Sequence, residues 1–130
     1  MPQPPMISII DDDASVRAAI ENLLSSLGYL ALSFGSAEEF LQSDQLNDTE
    51  CVIADVNMPV MNGVELLVRF RELREGVPFI FITAFPEEAI SKKALNAGAT
   101  WLLTKPFEKD SLIQRLESAL LQGRGGKSGE

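Results

Sequence analysis

The chain has 130 residues, enough to bury one core and too few for two, and with 45% hydrophobic residues, 23% charged residues and no apolar stretch near 20 residues it reads as one globular domain without a membrane span. Eleven basic residues against nineteen acidic ones leave a formal net charge of −8, which disfavours direct nucleic-acid binding. Histidine is absent, which excludes histidine-based metal sites, catalytic triads and a histidine phosphocarrier role, and the single Cys51 excludes an internal disulfide.

Residues 1–5, Met-Pro-Gln-Pro-Pro, lack the basic and apolar regions of a secretory signal and are expected to be a disordered lead-in, so the expected location is cytoplasmic. The folded domain is expected over 6–121. Its first predicted strand, 6–11, ends in three consecutive acids, Asp11, Asp12 and Asp13. Asp13 is placed to cap a helix over 14–27, where its carboxylate accepts backbone N–H bonds and suits the helix dipole. Gly28 ends that helix as a left-handed C-cap. A second strand follows over 29–34, then a helix over 36–43 whose Ser36 and Glu39 form a capping-box pattern.

The third strand, 51–55, carries Cys51 as a small buried apolar residue and ends in Asp55. In the loop behind it Pro59 fixes φ, and Gly63 permits close approach where the helix 63–75 begins. The fourth strand, 78–83, ends in Thr83. Pro86 with Glu87 and Glu88 starts a helix over 86–97, closed by Gly98. The fifth strand, 100–104, leads into Lys105, and a last helix covers 108–121. Residues 122–130 are glycine-rich and polar and are expected to be a flexible tail or linker stub. Their Gly-Gly-Lys-Ser is not a phosphate-binding loop, because Leu121 stands where the earlier glycine is needed.

Short apolar runs alternating with helical stretches predict an α/β fold, a doubly wound parallel sheet with helices on both faces. In such a sheet ligands bind outside the carboxyl ends of the strands. That edge collects Asp11, Asp12, Asp55, Thr83 and Lys105. Clustered carboxylates repel one another and call for a hard divalent cation, Mg2+ or a substitute such as Mn2+. The chemistry that needs this set is phosphoryl transfer to a carboxylate: Asp55 attacks in line, the metal neutralises phosphoryl oxygens, Lys105 adds positive charge, and Thr83 bonds a remaining oxygen.

Ile9-Ile10-Asp11-Asp12-Asp13, Val52-Ile53-Ala54-Asp55-Val56-Asn57-Met58-Pro59-Val60-Met61-Asn62-Gly63, Ile82-Thr83-Ala84 and Lys105-Pro106-Phe107 together resemble the receiver domain of two-component response regulators, of the chemotaxis-regulator type. The resemblance implies a flavodoxin-like five-stranded sheet in the order 2-1-3-4-5 and a cis peptide between Lys105 and Pro106. It implies phosphorylation on Asp55, and magnesium held by Asp12, Asp55 and the Asn57 main-chain carbonyl, with Asp11 on a metal-bound water. Lys105 would contact the phosphoryl group and Thr83 would read it. The implied partners are a sensor histidine kinase and a downstream protein or the chain's own output domain, met through the fourth helix, fifth strand and fifth helix, with a homodimer possible on phosphorylation. In that reading the chain is a signalling phosphoacceptor rather than an enzyme, either a single-domain regulator or part of a longer protein.

Leu102 occupies the position three before the lysine where receivers commonly carry an aromatic ring, and period-2 alternation sends the neighbouring Trp101 to the opposite face. Phe85 is bulky for a loop above a polar site. The competing reading is a phosphorylation-independent interaction module with the same fold. An aspartate-nucleophile phosphatase would need an acid where Asn57 stands, and a flavin's phosphate would be repelled by the acids behind the first strand.

Overall fold

The computed structural model describes residues 4–58, 60–74, 76–84, 88–105 and 108–128, the side chains of 88, 90, 91 and 122–128 excepted. The apolar runs form strands β1 (Met6–Ile10), β2 (Leu30–Phe34), β3 (Cys51–Asp55), β4 (Phe79–Thr83) and β5 (Trp101–Thr104), all parallel and ordered β2-β1-β3-β4-β5. This is the expected order. The runs of β3 and β4 are apolar almost throughout because both faces are covered, whereas edge strands β2 and β5 stay partly exposed.

Helices α1 (Ala14–Ser26), α2 (Ala37–Leu41), α3 (Gly63–Leu73), α4 (Glu88–Asn96) and α5 (Lys109–Ser128) connect them. Alternation along the strands splits the core in two. Phe79 and Phe81 of β4 pack with Phe40 of α2 and with Leu66, Leu67 and Phe70 of α3. Ile80 and Ile82 face the other way, toward Ile20 and Leu24 of α1 and Leu112 and Leu116 of α5. On the first side Phe34, Phe40, Phe70, Phe79 and Phe81 form a chain of rings with centroids 5.1–5.9 Å apart, so truncating one of the fully buried rings to alanine should cost about 3–5 kcal/mol.

The expected caps are present. Asp13 accepts the N–H groups of Ser15 and Val16 at 2.8 and 3.4 Å, and Gly28 and Gly98 take the positive φ that closes α1 and α4. Ser36 accepts the Glu39 N–H, but the Glu39 carboxylate turns to the N–H of Gly35, one residue earlier than a capping box requires. The complete box is at α3, where Asn62 and Glu65 bond each other's backbone N–H at 2.9 and 3.0 Å.

One element is shorter than expected. The second helix ends at Leu41, and a single 3-10 turn, Leu46–Asp48, follows. Pro5 is tied to the sheet edge, its carbonyl accepting the Leu30 N–H at 3.0 Å, while residues 1–3 lie outside the described residues. The backbone of α5 is helical through Ser128. Once a helix is nucleated each further residue needs only its own hydrogen bond, so α5 runs on across glycines that weaken it by about 1 kcal/mol each.

Polar groups at the amino end of the sheet are satisfied from within. Ser8 and Thr49, both buried, bond each other at 2.7 Å, and the Thr49 hydroxyl donates to the Gln45 carbonyl at 2.9 Å. Arg74, the C-cap of α3, donates to the carbonyls of Leu46 and Thr49 at 3.0 and 2.6 Å. Arg71, one turn earlier, donates to those of Val77 and Gly98. Cys51 is fully buried, and burial pushes its thiol up, which keeps it protonated and inert.

Candidate functional site

β1 and β3 are neighbours, so the residues that end them arrive side by side. Asp11 follows β1 and is fully buried; Asp55 is the last residue of β3 and is nearly so. Asp12 turns outward and is exposed, yet one carboxylate oxygen from each of Asp11, Asp12 and Asp55 lies within 4.8 Å of the others. Lys105, just beyond β5, bridges the two buried acids, its Nζ donating to Asp11 Oδ2 at 2.9 Å and to Asp55 Oδ2 at 2.8 Å. The second oxygen of each acid is held by backbone. Asp13 N–H donates to Asp11 Oδ1 at 2.9 Å and Asn57 N–H to Asp55 Oδ1 at 2.8 Å.

Thr83 is joined through Asn57. The Asn57 side-chain amide donates to Thr83 Oγ1 at 3.0 Å, linking the loop behind β3 to the buried end of β4. Asp11, Asp12, Asp55 and Lys105 are therefore in one cluster, and Thr83 is one side chain away. Phe85 and Pro106, with the expected cis peptide, lie outside the described residues. Leu102 and Trp101 do diverge as expected, Leu102 packing on the side of Phe81 and Trp101 on the side of Ile80, under the Arg115 guanidinium at 4.3 Å.

Burial holds the Asp11 carboxyl above its ordinary value of 3.8, outweighing the Asp13 N–H and Lys105 that favour its charge. Burial alone would lower the Lys105 ammonium, but its bonds to Asp55 and Asp11 more than offset this and leave it above 10.5. Lys105 is thus charged at neutral pH. One ammonium cannot neutralise three carboxylates, and the surplus negative charge presented by hard oxygen atoms suits a divalent cation of the magnesium type, not a soft metal. Among the described residues no protein donor reaches the Asp12 carboxylate or the Asn57 carbonyl oxygen, so both remain available as acceptors.

The loop carrying Asn57 is pinned at both ends. Gly63 N–H donates to the Val56 carbonyl at 2.9 Å, and Gly63 lies so near β3 that a Cβ there would sit 2.6 Å from the Asp55 carbonyl oxygen and 2.8 Å from the Phe81 ring. Between these points Val60 adopts φ 69°, a left-handed conformation costly for a β-branched residue, with its side chain in solvent. Sequence reasoning missed this strain, and it missed Arg17, whose Nη1 donates to the Asp11 carbonyl at 2.6 Å. The available signal for Arg17 was its place in the first turn of α1, from which long side chains lean back toward the helix start.

A family model described as response regulator receiver domain matches residues 7–117. Response regulator protein TodT of Pseudomonas putida is 36% identical over 115 residues, covering 88% of this chain and 51% of that protein. Transcriptional regulatory protein FixJ of Bradyrhizobium diazoefficiens is 35% identical over 124 residues, covering 95% and 60% respectively. The chain thus spans between half and two thirds of the length of these relatives. Among solved structures, a CheY-like response regulator receiver domain protein from Methanospirillum hungatei superposes with a TM-score of 0.88 at 26% identity, covering 95% of this chain and 99% of that one.

Proposed function

The chain belongs to the response regulator receiver domain family of two-component systems, and we propose that it takes a phosphoryl group from a sensor histidine kinase onto Asp55, with Mg2+ present, and so switches a protein-interaction surface. The observation that carries this is Lys105 Nζ held between Asp11 and Asp55 at 2.9 and 2.8 Å in a cluster that keeps surplus negative charge. An Asp55 oxygen forms the new bond to phosphorus as the donor's bond to phosphorus breaks, and the donor leaves with the electron pair of that bond. Lys105 stays beside the reacting carboxylate and balances charge on the phosphoryl oxygens. Asp11, Asp12, Asp55 and the Asn57 carbonyl would hold the cation, which when bound neutralises phosphoryl oxygen charge.

Thr83 is the reading residue in this proposal, because the Asn57 amide already ties its hydroxyl to the loop behind Asp55. A phosphoryl group that draws Thr83 toward Asp55 favours one of two states only by its differential affinity for them, and the change would pass to α4, β5 and α5. A cavity of about 520 Å³ beside Lys105, lined by Val16, Ala19 and Leu23 of α1, offers apolar surface where the kinase could rest while its phosphohistidine reaches Asp55. An output domain or downstream protein would receive the signal, as the greater length of TodT and FixJ suggests.

Incubation with acetyl phosphate and Mg2+, followed by intact-protein mass spectrometry, tests the proposal. A single phosphoryl adduct is expected in the wild type and none in Asp55→Asn. An adduct that persists in Asp55→Asn would assign the phosphoryl group to another residue, whereas a wild type that never acquires one would favour a phosphorylation-independent interaction module.

A further inference from the structure

We infer that Arg17 is a positioning residue for Asp12, holding the turn between β1 and α1 in the course that brings this carboxylate beside Asp11 and Asp55. The inference rests on the reading of that acid cluster as a divalent-cation site. Arg17 stands in the first turn of α1, where its own N–H donates to the Asp13 carbonyl at 3.1 Å, so its Cα is fixed relative to the turn. Its side chain runs back along the helix and Nη1 donates to the Asp11 carbonyl at 2.6 Å. A guanidinium donor makes a charge-assisted hydrogen bond, shorter and stronger than a neutral one.

The consequence falls on Asp12 rather than on Asp11. Asp11 has its own side-chain restraints, the Asp13 N–H on one oxygen and Lys105 on the other. Among the described residues the exposed Asp12 carboxylate has no protein partner, so its place in the cluster depends on the path of its backbone. Because the peptide unit is planar, a bond that fixes the Asp11 carbonyl also fixes the Asp12 nitrogen and the start of its Cα. The Asp13 N–H bond to Asp11 Oδ1 fixes the far side of the same residue. Arg17 and Asp13 thereby clamp Asp12 from both sides without touching its carboxylate. Partners of this supporting kind are typically worth 10–100-fold in metal affinity.

Arg17 also carries a positive charge that repels a cation, so removing it has two opposed effects. Loss of the clamp weakens cation binding, while loss of the repulsion strengthens it, and the sign of the change tells which role dominates. Titration of the full chain with Mg2+ by isothermal calorimetry, below the unfolding temperature of every variant, gives that sign. Arg17→Ala is expected to bind Mg2+ about tenfold more weakly than wild type. Arg17→Lys, which keeps the charge and one donor, should recover most of the loss. In an Asp12→Asn background, Arg17→Ala should change affinity by less than about twofold, because the residue it positions no longer offers a charged ligand.

Equal or tighter binding by Arg17→Ala overturns the inference, as does a full tenfold loss in the Asp12→Asn background, which would make Arg17 a general support of the fold. A wild type that binds no Mg2+ removes the reading of the cluster and this inference together. A wild type that binds while Arg17→Ala is unchanged removes only the inference.

Discussion

The two ends of the sheet are both polar and both tied by arginine or lysine, yet they are built on opposite terms. At the amino end Ser8, Thr49, Arg71 and Arg74 bond one another or nearby carbonyls, and the cations there close loops. At the carboxyl end one ammonium serves two of three clustered carboxylates, and Asp11 is held in a burial that disfavours its charge. A cluster whose members satisfy one another adds stability and needs nothing from outside. A cluster that keeps unneutralised charge gives up stability and so can gain from binding a cation. The contrast separates scaffold from site more sharply than polarity or burial does, since both ends have each.

The largest expected effect tests how closely the carboxyl end depends on its backbone. Gly63→Ala places a Cβ 2.6 Å from the Asp55 carbonyl and 2.9 Å from the Val56 Cα, contacts with backbone that no rotamer change relieves. It should destabilise the protein by about 3 kcal/mol in urea unfolding and lower the yield of phosphoryl adduct. A variant as stable as wild type would mean that the loop behind Asp55 can move aside.

Arg74→Ala addresses the amino end. Two carbonyls lose their shared donor, for an expected loss of about 2 kcal/mol in the same assay, with Mg2+ affinity within about twofold of wild type. A marked fall in Mg2+ affinity would show that the two ends are coupled and blur the contrast.

The smallest effect is one of pH. The folded-state pKa of Asp11 lies above its ordinary 3.8, so the folded protein holds that proton more tightly than the unfolded chain does. The stability it contributes is complete below 3.8 and is lost as pH rises through the raised value. Without divalent cation, Asp11→Asn should therefore gain on the wild type as pH rises from the acid range to neutrality. Lys105 works in the opposite range, since its raised pKa keeps its ion pairs intact up to 10.5 and loses them above. Urea midpoints across pH for the two proteins would check this. A wild type that gains on Asp11→Asn over the same range would show that Lys105 outweighs burial at Asp11. The amino end, where Ser8 and Thr49 do not titrate, should show no comparable slope.

Much of this contrast was legible in the chain itself, but unevenly. The Asp13 cap, the Gly28 and Gly98 terminations and the opposite facing of Trp101 and Leu102 could all be read, because each depends on residues within a turn or a strand of one another. The capping box at Asn62 and Glu65 was equally local and was overlooked. α5 continues past Leu121 because glycine content is a statement about propensity, which a helix already under way overrides. Asp11, Asp12, Asp55, Thr83 and Lys105 could be named as strand-end residues on one edge once the alternation of elements implied a parallel sheet.

By itself the sequence determined the order and kind of the elements, which strand ends carry acids, and the surplus of negative charge, since periodicity and caps act over a few residues and charge simply adds. Only the tertiary structure decided that the Lys105 ammonium divides itself between Asp11 and Asp55, that the Asn57 side chain reaches the Thr83 hydroxyl, and that Arg17 holds the Asp11 carbonyl. The reason is separation along the chain. Lys105 lies 94 residues from Asp11 and 50 from Asp55, and which donor meets which acceptor across such distances depends on strand order, register and the few ångströms set by core packing, none of which any short stretch of sequence encodes.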